Sequence, residues 1–127
     1  MNAPVRTKPL RLTAILVMLV AVSMAGNAAA QTGEEGVANF YSDKFEGKKT
    51  ASGEVYDKNG LTASHKKLPY GTKVKVTNVE NGKSVVVTVN DRMAPKNAAV
   101  IDVTRRAAEE LGFVKAGKAK VKLEVQK

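Results

Sequence analysis

The chain has 127 residues, with 21 Lys and Arg against 12 Asp and Glu, one His, no Cys and no Trp. That length bounds the fold to one modest core burying roughly 60–70% of the unfolded surface, and the missing Cys excludes disulfides, thiolate metal sites and a lipid-modified N-terminus. A net charge of +9 draws the protein to polyanions, but the scattered Phe40, Tyr41, Phe45, Tyr56, Tyr70 and Phe113 form no stacking platform for nucleic acid.

Residues 1–30 read as a secretory signal. Arg6, Lys8 and Arg11 form a basic region with no acidic residue before Glu34, Leu12 to Ala25 is apolar, and Ala28-Ala29-Ala30 offers a cleavage site before Gln31. The apolar run falls short of the roughly 20 residues of a spanning helix, with an uncleaved N-terminal anchor as the alternative. Gln31 to Glu35 is polar and is expected to be a flexible tail, leaving 36–127 as the folded domain. Val37 to Ser42 is expected to be the first strand.

Residues 43–60 carry Gly47, Gly53 and Gly60 with little periodicity, longer than an ordinary connection and therefore functional or disordered. Glu54 and Asp57 lie in it, and without further context plain solvent exposure is the ordinary reading of either. Leu61 to His65 ends on the single His. A lone His is more often a satisfied core or surface residue than a ligand, no spacing supports a metal site, and no nucleophile elbow frames Ser64 for a triad.

Leu68-Pro69-Tyr70-Gly71-Thr72 marks a turn. Lys73 to Val79 alternates, Asn81-Gly82 is a hairpin turn, and Val85, Val87 and Val89 alternate in the return strand, so the hairpin 73–89 is the firmest local expectation. Val86 is also apolar, which predicts cover over much of that strand's second face. The strand runs into Asn90-Asp91-Arg92, which places a carboxylate and a guanidinium where a stiff element opens into a loop. Capping of a turn by Asp91, or its pairing with Arg92, is the alternative. After Pro95 the apolar run Ala98 to Val103 is broken by Asp102. Thr104 is placed to cap a helix from Arg105 to Leu111, with Ala107, Ala108 and Leu111 inward and Gly112 at its stop. Lys118 to Val125 alternates again, with Ala119, Val121, Leu123 and Val125 on one face. A mainly β chain of this kind removes its sheet edges by closing into a barrel.

Four blocks in order, GVANFYSDKFEGKKTASGEVYD, LTASHKKLPYGTKVKVTN, NGKSVVVTVNDR and VIDVTRRAAEELG, resemble the signature blocks of the rare lipoprotein A family of septal-ring lytic transglycosylases. The likeness runs from about Gly36 to Val125. It implies a six-stranded double-psi β-barrel with one or two short helices, and endolytic, metal-independent cleavage of the β-1,4 bond between N-acetylmuramic acid and N-acetylglucosamine. That chemistry leaves 1,6-anhydro ends, because the sugar's own 6-hydroxyl is the nucleophile and one carboxyl can act first as acid and then as base. The acid must be kept protonated by partial desolvation.

By this resemblance Asp91 is the general acid/base. Glu54, Asp57 and His65 line the same cleft, holding saccharide and stabilising positive charge, and Thr50, Ser52 and Arg92 support substrate binding. Asp102 is read as structural, satisfying backbone groups before the helix. The resemblance further implies no cofactor, a monomer in the periplasm without stable membrane insertion, and peptide-poor peptidoglycan glycan strands as partner. Nucleic acid is not among the partners, whereas division or envelope proteins are further candidates. Three departures stand out: no lipid-accepting Cys, no C-terminal wall-binding repeat, and Met93-Ala94-Pro95-Lys96 where many relatives continue with Gly-Pro-Phe. A non-catalytic, expansin-like wall-binding module is the alternative function, and a protein-interaction role without sugar chemistry is a third.

Overall fold

The computed structural model describes residues 33–127, so the signal read at 1–30 lies outside the described residues. Six strands are β1 (Glu34–Phe40), β2 (Thr62–His65), β3 (Lys73–Asn78), β4 (Ser84–Arg92), β5 (Ile101–Val103) and β6 (Ala119–Val125), with helix α1 at Arg105–Leu111. They close into a barrel in the order β1-β5-β2-β4-β3-β6. β1 with β5 and β2 with β4 are parallel, and the other neighbours are antiparallel.

Period-2 alternation builds the core. Val74 and Val76 of β3, Val87 and Val89 of β4, Ile101 and Val103 of β5, and Val121 and Leu123 of β6 point inward and are buried. Ala107, Ala108 and Leu111 of α1, with Phe113, complete the same cluster. The helix ends as its sequence requires. Thr104 Oγ1 accepts from the Ala107 N–H and donates to Gly60 O at 2.6 Å, while Gly112, at φ 79°, donates its N–H to Ala108 O and Glu109 O. Asn78 at the end of β3 and Asn81 in the hairpin turn each donate Nδ2 to Leu111 O at 3.0 Å and so dock the helix on the β3–β4 hairpin.

Two expectations are revised, the bounds of the first strand and the cover of Val86. The first strand begins at Glu34 rather than Val37 and ends at Phe40, because Glu34 to Ala38 pair with Leu123 to Ala119 of β6. Glu34 and Glu35 therefore belong to the barrel and not to a tail, and Tyr41 and Ser42 leave the sheet. Gly36 is needed in this strand, since a Cβ there would run into the Val100 side chain. Val86 is 42% exposed, not covered, because a closed barrel has one interior and its alternate residues must face water. Residues 43–60 are ordered by a 3₁₀ turn at Asp43–Phe45 and a Lys49–Val55 bridge. Buried Tyr56 fastens this segment from within.

Candidate active site

One end of the barrel opens into a cleft of about 630 Å³. Asn39 and Phe40 of β1, Tyr41 just beyond it, Ser64 of β2, Asp91 and Arg92 of β4 and Asp102 of β5 line it, with Thr50 from the 43–60 segment. The register brings these residues together. Ala63 pairs with Val89, but the next partners are Ser64 and Asp91, so Asn90 is skipped and the β2–β4 ladder is irregular at that point. Such irregularities re-aim side chains beside active sites. Here the shift sets Asp91 opposite Ser64, while on the other edge of β2 Ser64 lies opposite Asp102.

Asp91 is held by three donors. Tyr41 donates its hydroxyl to Oδ2 at 2.5 Å, and the amides of Ala51 and Arg92 donate to Oδ1 at 2.8 Å each. The Ala51 contact ties the 43–60 segment to the end of β4, as does the Ser52 N–H donated to Asn90 O. Tyr41 is stacked on Tyr56 with centroids 4.4 Å apart and stands edge-on to Phe45 at 5.9 Å, so its ring is fixed from two sides. Burial drives the Tyr41 hydroxyl far above the usual phenol range, and its bond to the Asp91 carboxylate adds to this. The hydroxyl therefore stays a donor. Burial also raises the Asp102 carboxyl from its ordinary value, with the charge of Asp91 adding to it.

The residues singled out from sequence separate in space. Asp91, Arg92 and Thr50 line the cleft; Glu54, Asp57 and His65 do not. Glu54 is exposed and accepts from Nδ2 of Asn90, the residue before Asp91, at 3.0 Å. Asp57 is exposed, and its Oδ1 accepts from the Asn59 N–H within its own turn. His65 is buried, with Nδ1 accepting from the amides of Lys67 and Leu68 and Nε2 2.9 Å from Glu34 Oε1. Two N–H groups on Nδ1 place the ring proton on Nε2, so His65 organises the 65–68 turn. Arg92 serves the same turn: Nη1 donates to His65 O and Leu68 O, and its guanidinium lies 4.7 Å from the Tyr70 ring centroid. The Ser52 hydroxyl lies 3.0 Å from that of Thr50 and accepts from the Glu54 N–H. Among the described residues, no three His, Cys, Asp or Glu side chains gather as metal ligands would.

Tyr41, Ser64 and Asp102 were not assigned to the site from sequence. The one available signal was Asp102 itself, an acid set between two buried apolar residues. Its reading as a backbone partner is corrected by the structure: Asp102 lines the cleft and its buried Oδ1 has no hydrogen-bond partner.

A family model described as "Lytic transglycolase" matches residues 33–123. Proteins named endolytic peptidoglycan transglycosylase RlpA are similar. That of Neisseria meningitidis is 49% identical over 98 residues, covering 77% of this chain and 41% of the relative. The Rickettsia bellii protein is 52% identical over 101 residues, with 77% and 44% covered, and the Pseudomonas aeruginosa protein 51% over 89 residues, with 70% and 26% covered. The chain thus spans less than half the length of these relatives. Among solved structures, the Streptomyces papain inhibitor superposes with a TM-score of 0.58 at 20% identity, covering 76% of this chain and 94% of that one. A mutant Clavibacter michiganensis expansin in complex with cellohexaose also gives 0.58, at 19% identity and 75% and 50% coverage. Those two likenesses speak to the fold alone. With its closed six-stranded barrel and the family model matching residues 33–123, the chain belongs to the RlpA-like double-psi β-barrel family of lytic transglycosylases.

Proposed function

We propose that this domain is an exported, periplasmic peptidoglycan lytic transglycosylase that cleaves the β-1,4 bond between N-acetylmuramic acid and N-acetylglucosamine within peptide-poor glycan strands. The observation that carries this reading is Asp91, a carboxylate fixed by three donors at the end of β4 and facing a cleft walled by Phe40, Tyr41 and Phe45. The resemblance gives Asp91 both halves of the proton transfer. Its three donors suit it to the accepting half: positive charge grows at the anomeric carbon beside the carboxylate, the 6-hydroxyl of the same sugar closes on that carbon, and Asp91 takes the hydroxyl proton. The aromatic walls suit the apolar faces of pyranose rings, and Asn39 and Asn97 offer amides to the sugars' polar groups. The relatives' names, which specify endolytic action on peptidoglycan, support the substrate class.

The test is wild type and Asp91→Asn on peptide-stripped and intact sacculi, with soluble products read by mass spectrometry. The expected result is 1,6-anhydro-muramic ends from wild type, more from stripped glycan, and none from the variant. Ordinary reducing ends would make the protein a hydrolase. No product from either protein, with both retained on the wall, would move the function to a non-catalytic wall-binding module.

A further inference from the structure

Asp102 is a carboxyl that the reaction as described above leaves unused, in surroundings opposite to those of Asp91. Among the described residues, its Oδ1 is the one buried side-chain polar atom without a hydrogen-bond partner. Because Ile101 and Val103 on either side point into the core, strand alternation turns Asp102 away from the core and into the cleft. Ser64 stands between the two carboxyls, opposite Asp91 on β4 and opposite Asp102 on β5.

Contrasting environments separate the roles of paired carboxyls. Asp91 accepts from Tyr41, Ala51 and Arg92, so its oxygens are occupied by donors and a proton on it would displace one of them. An ionised Asp102 would hold charge on an oxygen that has given up water and gained no donor. A protonated Asp102 supplies its own O–H, for which the cleft offers a substrate oxygen as acceptor. Burial and the charge of Asp91 act in the same direction on Asp102.

We propose that Asp102 is the proton donor of this site, protonating the glycosidic oxygen while Asp91 remains the acceptor; this rests on the lytic transglycosylase reading. The Asp102 O–H bond breaks and its proton goes to the bridging oxygen. The bond from that oxygen to the anomeric carbon breaks with its electron pair, and the N-acetylglucosamine end departs with a 4-hydroxyl. The 6-oxygen forms the new bond to the anomeric carbon and loses its proton to Asp91. One glycosidic bond is exchanged for one anhydro bond, water is not consumed, and solvent returns the proton from Asp91 to Asp102. Tyr41 keeps its proton throughout and holds Asp91 ready as acceptor.

Substrates that differ in leaving group test the assignment. Natural peptide-stripped glycan needs a proton on its departing oxygen, whereas a dinitrophenyl β-glycoside of N-acetylmuramic acid does not. Asp102→Asn is expected to lose about 10²–10⁴-fold on glycan and to regain most of its rate of anhydro-sugar formation on the dinitrophenyl substrate. Asp91→Asn stays impaired on both. A folded Asp102→Asn that cleaves glycan at the wild-type rate, or is equally inactive on both substrates, overturns the proposal. Wild type silent on both substrates sinks the enzyme reading and the proposal with it, and so marks that failure apart.

Should Asp102→Asn not fold, wild type labelled with carbon-13 at its aspartate carboxyls decides. Of Asp43, Asp57, Asp91 and Asp102, one should ionise last as pH rises, and that late carboxyl should persist in Asp91→Asn. Four carboxyls ionising together, or loss of the late one in Asp91→Asn, overturns the assignment.

Discussion

Tyr41→Phe removes one oxygen and leaves an aromatic ring in the same place, stacked on Tyr56 and edge-on to Phe45. What is lost is the 2.5 Å hydroxyl bond to Asp91 Oδ2. A hydrogen bond of this length to a charged group is worth about 1.5–3 kcal/mol. If that energy is fully expressed in the transition state, where Asp91 must be correctly placed to take the 6-hydroxyl proton, the rate falls by about 10- to 150-fold. The two amide donors still hold Oδ1, so the loss should stop short of that for Asp91→Asn. The stability loss is bounded by the same bond energy, about 1.5–3 kcal/mol, so the variant should still fold and melt cooperatively at a lowered Tm. The assay is the initial rate of 1,6-anhydro-end release from peptide-stripped sacculi, with KM and kcat separated, alongside a thermal melt. The expected pattern is a fall in kcat with KM nearly unchanged. An unchanged kcat in a protein whose Asp91→Asn variant is inactive would refute the idea that this hydroxyl positions the carboxylate, and a collapse in Tm would make the contact structural instead.

Val87→Asp tests the barrel. It forfeits about 1.5–3 kcal/mol of apolar burial and sets a carboxylate in the core at several kcal/mol more, comparable with the whole stability of a small domain; loss of the cooperative melt is expected, and a wild-type melt would sink the strand assignment. His65→Ala strips the acceptor from the Lys67 and Leu68 amides, at a cost of about 1–3 kcal/mol. It should lower Tm more than it lowers kcat at a temperature where the variant is folded; a variant that melts like wild type yet has no turnover would place the imidazole in the reaction. Asp102 gives a pH signature. Burial first, and the charge of Asp91 second, raise its carboxyl above the ordinary 3.8, so the folded state binds its proton more tightly than the unfolded one. Its contribution to stability is fully present below that ordinary value and is lost as pH rises through the raised one. Asp102→Asn has no such loss and should gain stability relative to wild type as pH rises out of the acid range, measured by denaturant unfolding across pH. Parallel stability curves for the two proteins would contradict the raised carboxyl.

Much of the architecture is local and therefore readable along the chain. The β3–β4 hairpin follows from alternating Val and Lys on either side of Asn81-Gly82, and the helix from Thr104 at its start and Gly112 at its stop, because strand period, turn conformation and helix capping each involve residues within a few positions of one another. Asp91 was legible for the same reason, as a carboxyl at the end of a strong strand. The rest of the cleft is not local. Ser64, Asp91 and Asp102 come from β2, β4 and β5, Tyr41 follows the end of β1, and they meet through the parallel β2–β4 and β1–β5 pairs and the skipped Asn90. A shift of one position along a strand moves a side chain to the other face of the sheet, so sequence patterning left undecided which polar residues share the cleft. Barrel closure decided it: it carried Asp102 from the helix approach into the cleft wall, while His65 bonds the 65–68 turn and Glu54 bonds Asn90. The chain alone determined the β3–β4 hairpin, the last strand, the helix and the family; only the closed barrel, by pairing the short β2 and β5 with distant strands and setting their register, determined which carboxyls lie on either side of Ser64.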